Sequence, residues 1–123
     1  MENENKKSVK EDLESNEVVL STGSKVIMKE STGVDEIMVA QMLGDKVNLQ
    51  GAGAQILMQA NTLKCIESVD GQPLKKPDGA TNFLRTYNDF LAAARLFKTK
   101  DLNRLMRKYA EMNLEADEQN PLV

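Results

Sequence analysis

"KCIESVDGQPLKK", residues 64–76, decides how this chain is read. It holds the one cysteine, Cys65, close to Asp70, so it is either the edge of a reactive site or a strand and a tight turn. "IESV" and "QPLK" flank Asp70-Gly71, a favoured turn pair because both residues tolerate positive φ. Pro73 has no amide donor, so the second arm is at most an edge. A nucleophilic thiol needs a neighbouring base, and the chain contains no histidine. Cys65, between Leu63 and Ile66, therefore reads as a small buried hydrophobe, and Asp70 as a turn residue. The stretch is scaffold.

Upstream, the spacing predicts a helix from Ala54 to about Cys65 with Ile56, Ala60 and Leu63 on one face, and Ile66 continues that face just beyond its end. "KVNLQGAGAQ" (46–55) has two glycines but lacks the Lys-Ser/Thr ending of a phosphate loop, so it reads as a hinge or helix entry. "STGVDEIMVAQMLGD" (31–45) predicts a helix over 33–43. Thr32 and Asp35 form a capping box with Asp in the Glu role, and Gly44 is the stop. Val34, Ile37, Met38 and Met42 recur at helical spacing and are expected to form its apolar face. Before that, "EVVLSTGSKVIMKE" (17–30) joins two β-branched runs through a glycine-containing loop, a β-hairpin.

Downstream, Pro77-Asp78-Gly79 is a turn, and Thr81 or Asn82 is the expected cap of the next helix. Phe83, Leu84, Tyr87, Phe90, Leu91, Ala94 and Phe97 form its wide apolar stripe, which holds all three phenylalanines and is expected to anchor the core. "TKDLNRLMRKYAEMNL" (99–114) follows, with Thr99 as expected cap, Asp101 in the first turn, and Leu102, Leu105, Met106, Tyr109 and Met112 on one face. The short link predicts an antiparallel pair. The fold class is α+β, mostly α-helical: an N-terminal β-hairpin, then about four helices, the last two paired. Residues 1–16 read as a flexible acidic arm, 17–114 as one globular domain and 115–123 as a flexible acidic tail.

The 123 residues carry a net charge of −3, unevenly spread. Seven bases lie between Arg85 and Lys108 against Asp89 and Asp101. Absence of histidine removes the usual general base and commonest metal ligand, and one cysteine builds no thiolate zinc site. No nucleophile, base and oxyanion donor assemble from what remains, so no enzyme, cofactor or metal is expected. The N-terminus lacks the apolar core of a secretory signal, and no apolar run approaches the ~20 residues that span a bilayer. Nucleic-acid binding is the rival class, since the basic helices and Tyr87 or Tyr109 suit phosphates and bases, but the chain is acidic overall and both tyrosines fit apolar stripes. Protein–protein binding fits best. Seven methionines make adaptable apolar faces. The contact candidates are Arg95, Lys98, Arg104, Arg107, Lys108 and Met112, each also explicable as part of a solvated or packed helix face.

Three segments resemble small tail assembly proteins of tailed bacteriophages, the tail assembly chaperone type. "KESTGVDE" (29–36) after the hairpin is similar to their strand, Glu-Pro-Thr-x-x-Asp, helix opening; Glu30, Thr32 and Asp35 match, and Ser31 stands where Pro is common. "CIESVDGQPL" (65–74) is similar to their Cys-Ile-x-Ser-Ile/Val-Asp-Gly turn, and "KDLNRLMRKYAEMNL" (100–114) to their closing helix. The resemblance spans roughly residues 18–114 and brings no catalytic residues. It implies a chaperone that binds the tape measure protein in the bacterial host cytoplasm. The alternative is a structural component retained in the virion, bound to tail tube or baseplate subunits. A homo-oligomer is compatible with either.

Overall fold

The computed structural model describes residues 16–48, 51–76, 78–79 and 84–114. The arm and tail expected at 1–16 and 115–123 thus lie outside the described residues, apart from Asn16. Strands β1 (Glu17–Val19), β2 (Lys25–Met28) and β3 (Ile66–Val69) form one antiparallel sheet in the order β1-β2-β3. The helices are α1 (Gly33–Leu43), α2 (Gly53–Lys64), α3 (Tyr87–Ala94) and α4 (Thr99–Asn113), with a 3₁₀ turn at Gly44–Asn48. The chain is α+β and mostly helical.

The hairpin alternates as a half-buried sheet must. Val18, Leu20, Val26 and Met28 are buried, whereas Val19 is exposed. "IESV" does more than close a local turn: as β3 it adds to β2, with Val26 opposite Val69 and Ile27 opposite Ser68, and the register shifts between Ile27 and Met28. "QPLK" forms no named strand; Val69 and Gln72 bridge across the turn, with N–H···O distances of 2.7 and 3.0 Å. Asp70 and Gly71 both have positive φ, 51° and 81°. Asp70 also locks the turn onto β2: its amide donates to the Lys25 carbonyl, and its carboxylate accepts from the Lys25 amide at 2.8 Å.

One apolar cluster runs from Val18 to Tyr109. Met28, Leu63 and Leu105 are its largest fully buried side chains. Helix α2 is central and packs against α1, α3 and α4. Of the phenylalanines expected to anchor the core, Phe90 is buried, Phe97 packs at the edge of the cluster, and Phe83 lies outside the described residues.

Two helix starts differ from expectation. Thr81 and Asn82 lie outside the described residues, and α3 begins only at Tyr87, because Thr86 and Asp89 form a reciprocal capping box. Its α-helical ladder stops at Ala94, and the Leu96 and Phe97 amides turn back in i→i−3 bonds. Helix α4 is preceded by Lys98 in extended backbone, and Thr99, the expected cap, is its first helical residue. Asp101 serves this end by another route: its carboxylate accepts from the Ser21 amide and hydroxyl, both at 2.8 Å, tying α4 to the hairpin loop.

Candidate partner-binding surface

The site is built from the cap of α1. Thr32 Oγ1 accepts from the Asp35 amide at 3.2 Å, and the Asp35 carboxylate accepts from the Thr32 amide at 3.0 Å. Lys29 Nζ stands 3.5 Å from Asp35. Burial pushes the Asp35 carboxyl up, but the Thr32 hydrogen bonds and Lys29 prevail and hold it below its ordinary value. Asp35 is itself buried, on the side of α1 that faces the core. Val39, Met42 and Leu43 follow it inward. Val34, Ile37 and Met38 then face outward, 66%, 60% and 37% exposed. Three of the four residues expected to form the core-facing side of this helix therefore lie in solvent; only Met42 is in the core. Helix α1 is apolar on two faces, so periodicity alone could not rank them.

At Met38 the row runs into a cleft of about 200 Å³. Its walls include Leu63, Ile66, Pro73, Leu74 and Leu84, drawn from the end of α2, β3, the segment after the Asp70-Gly71 turn and the approach to α3. Three charged residues line it: Lys64, Arg85 and Glu67. Neither the Lys64 ammonium nor the Arg85 guanidinium has a carboxylate partner among the described residues, whereas Lys76 is paired with Asp89 at 2.8 Å. None of the cleft residues was among the contact candidates read from sequence.

Those candidates divide. Arg104, Arg107 and Lys108 come together in a second groove of about 430 Å³, between β1 and α4, with Glu17, Val18, Val19 and Glu111. Arg104 is engaged there, donating from Nη1 to the Val19 carbonyl at 2.7 Å. Arg107 is exposed, but Lys108 is only 6% exposed and is not part of a solvated face. Lys98 lines a different, apolar crevice with Leu20, Val69, Leu74, Leu96 and Phe97. Arg95 is exposed just past α3, and Met112 packs against the core. The six residues do not make one site.

No family model, curated protein or solved structure matches the chain.

Cys65 is fully buried at the end of α2, and burial pushes its thiol up, away from the reactive thiolate. Among the described residues no group of three or more carboxylate, cysteine or histidine side chains could hold a metal ion. No described helix is long and apolar enough to cross a membrane. What the arrangement offers is contact: an exposed aliphatic row leading into a cleft of mixed apolar and charged lining, on a helix whose other face is buried in the core.

Proposed function

We propose that the protein acts by protein–protein binding as a tail assembly chaperone, holding apolar helices of a tape measure protein during formation of a phage tail. One observation carries this reading: Val34, Ile37 and Met38 stand in solvent on a helix whose opposite face is already buried in the core. Such an aliphatic row suits an amphipathic helix laid against it, and methionine adapts to different partners. The resemblance in residues 29–36 supplies the class of partner. It also falls on Thr32 and Asp35, the pair that caps the helix carrying the row. In this reading the protein transforms no substrate, needs no cofactor and works in the host cytoplasm.

The test is co-expression with the tape measure protein of the same tail. The wild-type chain should co-purify with it and keep it soluble. A Val34→Asp/Ile37→Asp double variant should lose both effects while its circular dichroism is unchanged, since both positions are exposed. Undiminished capture by that variant would overturn the reading. Recovery of the protein in purified particles at fixed stoichiometry would assign it instead to the finished tail.

A further inference from the structure

We infer that the α1 row and the adjoining cleft take one kind of occupant: an amphipathic helical segment whose apolar face is flanked by carboxylates. This rests on the partner-binding reading above and adds the partner's charge. Met38 belongs to both the row and the cleft, so one segment can cover Val34 and Ile37 and place a side chain between Leu63 and Leu74. The cleft, about 200 Å³, is smaller than the roughly 300–1,000 Å³ of small-molecule sites. It fits one anchoring aliphatic side chain, the kind of pocket that concentrates binding energy at an interface.

The sign of the charge follows from Lys64 and Arg85. Both line the cleft, both lack a carboxylate partner among the described residues, and they stand against the single acid Glu67. A partner with basic flanks would bring like charges together as water is excluded. One with acidic flanks pairs both cations at the rim. The β1–α4 groove is a weaker candidate for the same partner. There Arg104 is already spent on the Val19 carbonyl, and two acids face the three cations.

The experiment uses the full-length chain and three synthetic helical peptides with one shared apolar face and flanks of Glu, Gln or Lys. Fluorescence anisotropy at low salt should find the Glu-flanked peptide bound about tenfold more tightly than the Lys-flanked one. A Lys64→Glu/Arg85→Glu variant should reverse that order, and Met38→Asp should weaken all three. Equal binding of the three peptides, or no reversal in the charge variant, overturns the inference while leaving a helix-binding row in place. Failure of every peptide to bind removes the row as a helix site and takes the proposed function with it. Sedimentation of the same sample identifies one special case. A dimer that buries the row and excludes every peptide overturns the inference in favour of a second copy as occupant.

Discussion

Gly53 opens α2 against the backbone of Val47, and a methyl group there would overlap the Val47 carbonyl oxygen. The obstacle is main chain, which cannot rotate away as a side-chain tip can. Gly53→Ala is therefore expected to destabilise the fold by about 1–3 kcal/mol through overpacking, despite alanine's better helix propensity. Gly33, the first residue of α1, has open space around it and no positive φ. Gly33→Ala should be neutral or stabilising by up to about 1 kcal/mol. Urea denaturation of the two variants separates these cases, and equal midpoints would remove the steric argument. The sequence reading of 46–55 as a helix entry found the place but not the reason, because the approach of Val47 is tertiary. Cys65, Asp70 and Thr32 were legible for the opposite reason: a helix end, a two-residue turn and a capping box are each decided within four residues.

Elements were legible where one local signal dominated. The hairpin, the span of α1 and the buried face of α4 follow from β-branched runs, a cap with a stop glycine, and a single strong apolar stripe. Three element-level features were not. The start of α3 was placed at the first polar residues after a turn, yet Thr86-Tyr87-Asn88-Asp89 holds the complete reciprocal box. Thr86→Ala should accordingly cost about 1 kcal/mol in the same urea assay. The pairing of β3 with β2 joins residues some forty positions apart, which no local pattern encodes. The exposed face of α1 depends on which of two apolar sides meets the core. Helix α4 shows how such long-range choices are fixed: Asp101 holds Ser21, Arg104 holds Val19, and Asn113 Oδ1 accepts from the Ser31 amide at 2.7 Å. Asp101→Ala is expected to lower the thermal midpoint. It should also speed hydrogen exchange at the Ser21 amide, its direct donor, far more than at Val26 in the central strand. Unchanged protection of Ser21 would mean that α4 and the hairpin loop do not depend on this bond.

Across the whole molecule the described acids with shifted pKa all move the same way. Backbone hydrogen bonds from Ser21 to Asp101 and from Lys25 to Asp70 hold both carboxyls below the ordinary value. Asp35 lies low through its cap, and the Lys76 ammonium, with the Arg85 and Thr86 amides, draws Asp89 down to about 2. A folded-state pKa below the unfolded one means that the unfolded chain takes up protons first as pH falls. The stabilisation from these four groups is therefore present above the unfolded value of 3.8 and is lost as pH falls below it, for Asp89 through about 2. With no histidine in the sequence, no imidazole adds a slope around neutrality. Urea midpoints should thus change little from neutral pH to about pH 5 and fall steeply below about pH 4. Lys76→Gln isolates one contribution. It removes the ion pair at 2.8 Å, brings the Asp89 pKa back toward 3.8, and should make the acid limb shallower while lowering the neutral-pH plateau. An unchanged acid limb in that variant would show that the Lys76 pair contributes nothing to the acid transition. Such a result would leave the hydrogen-bonded carboxyls of Asp35, Asp70 and Asp101, with the amide bonds to Asp89, as its source.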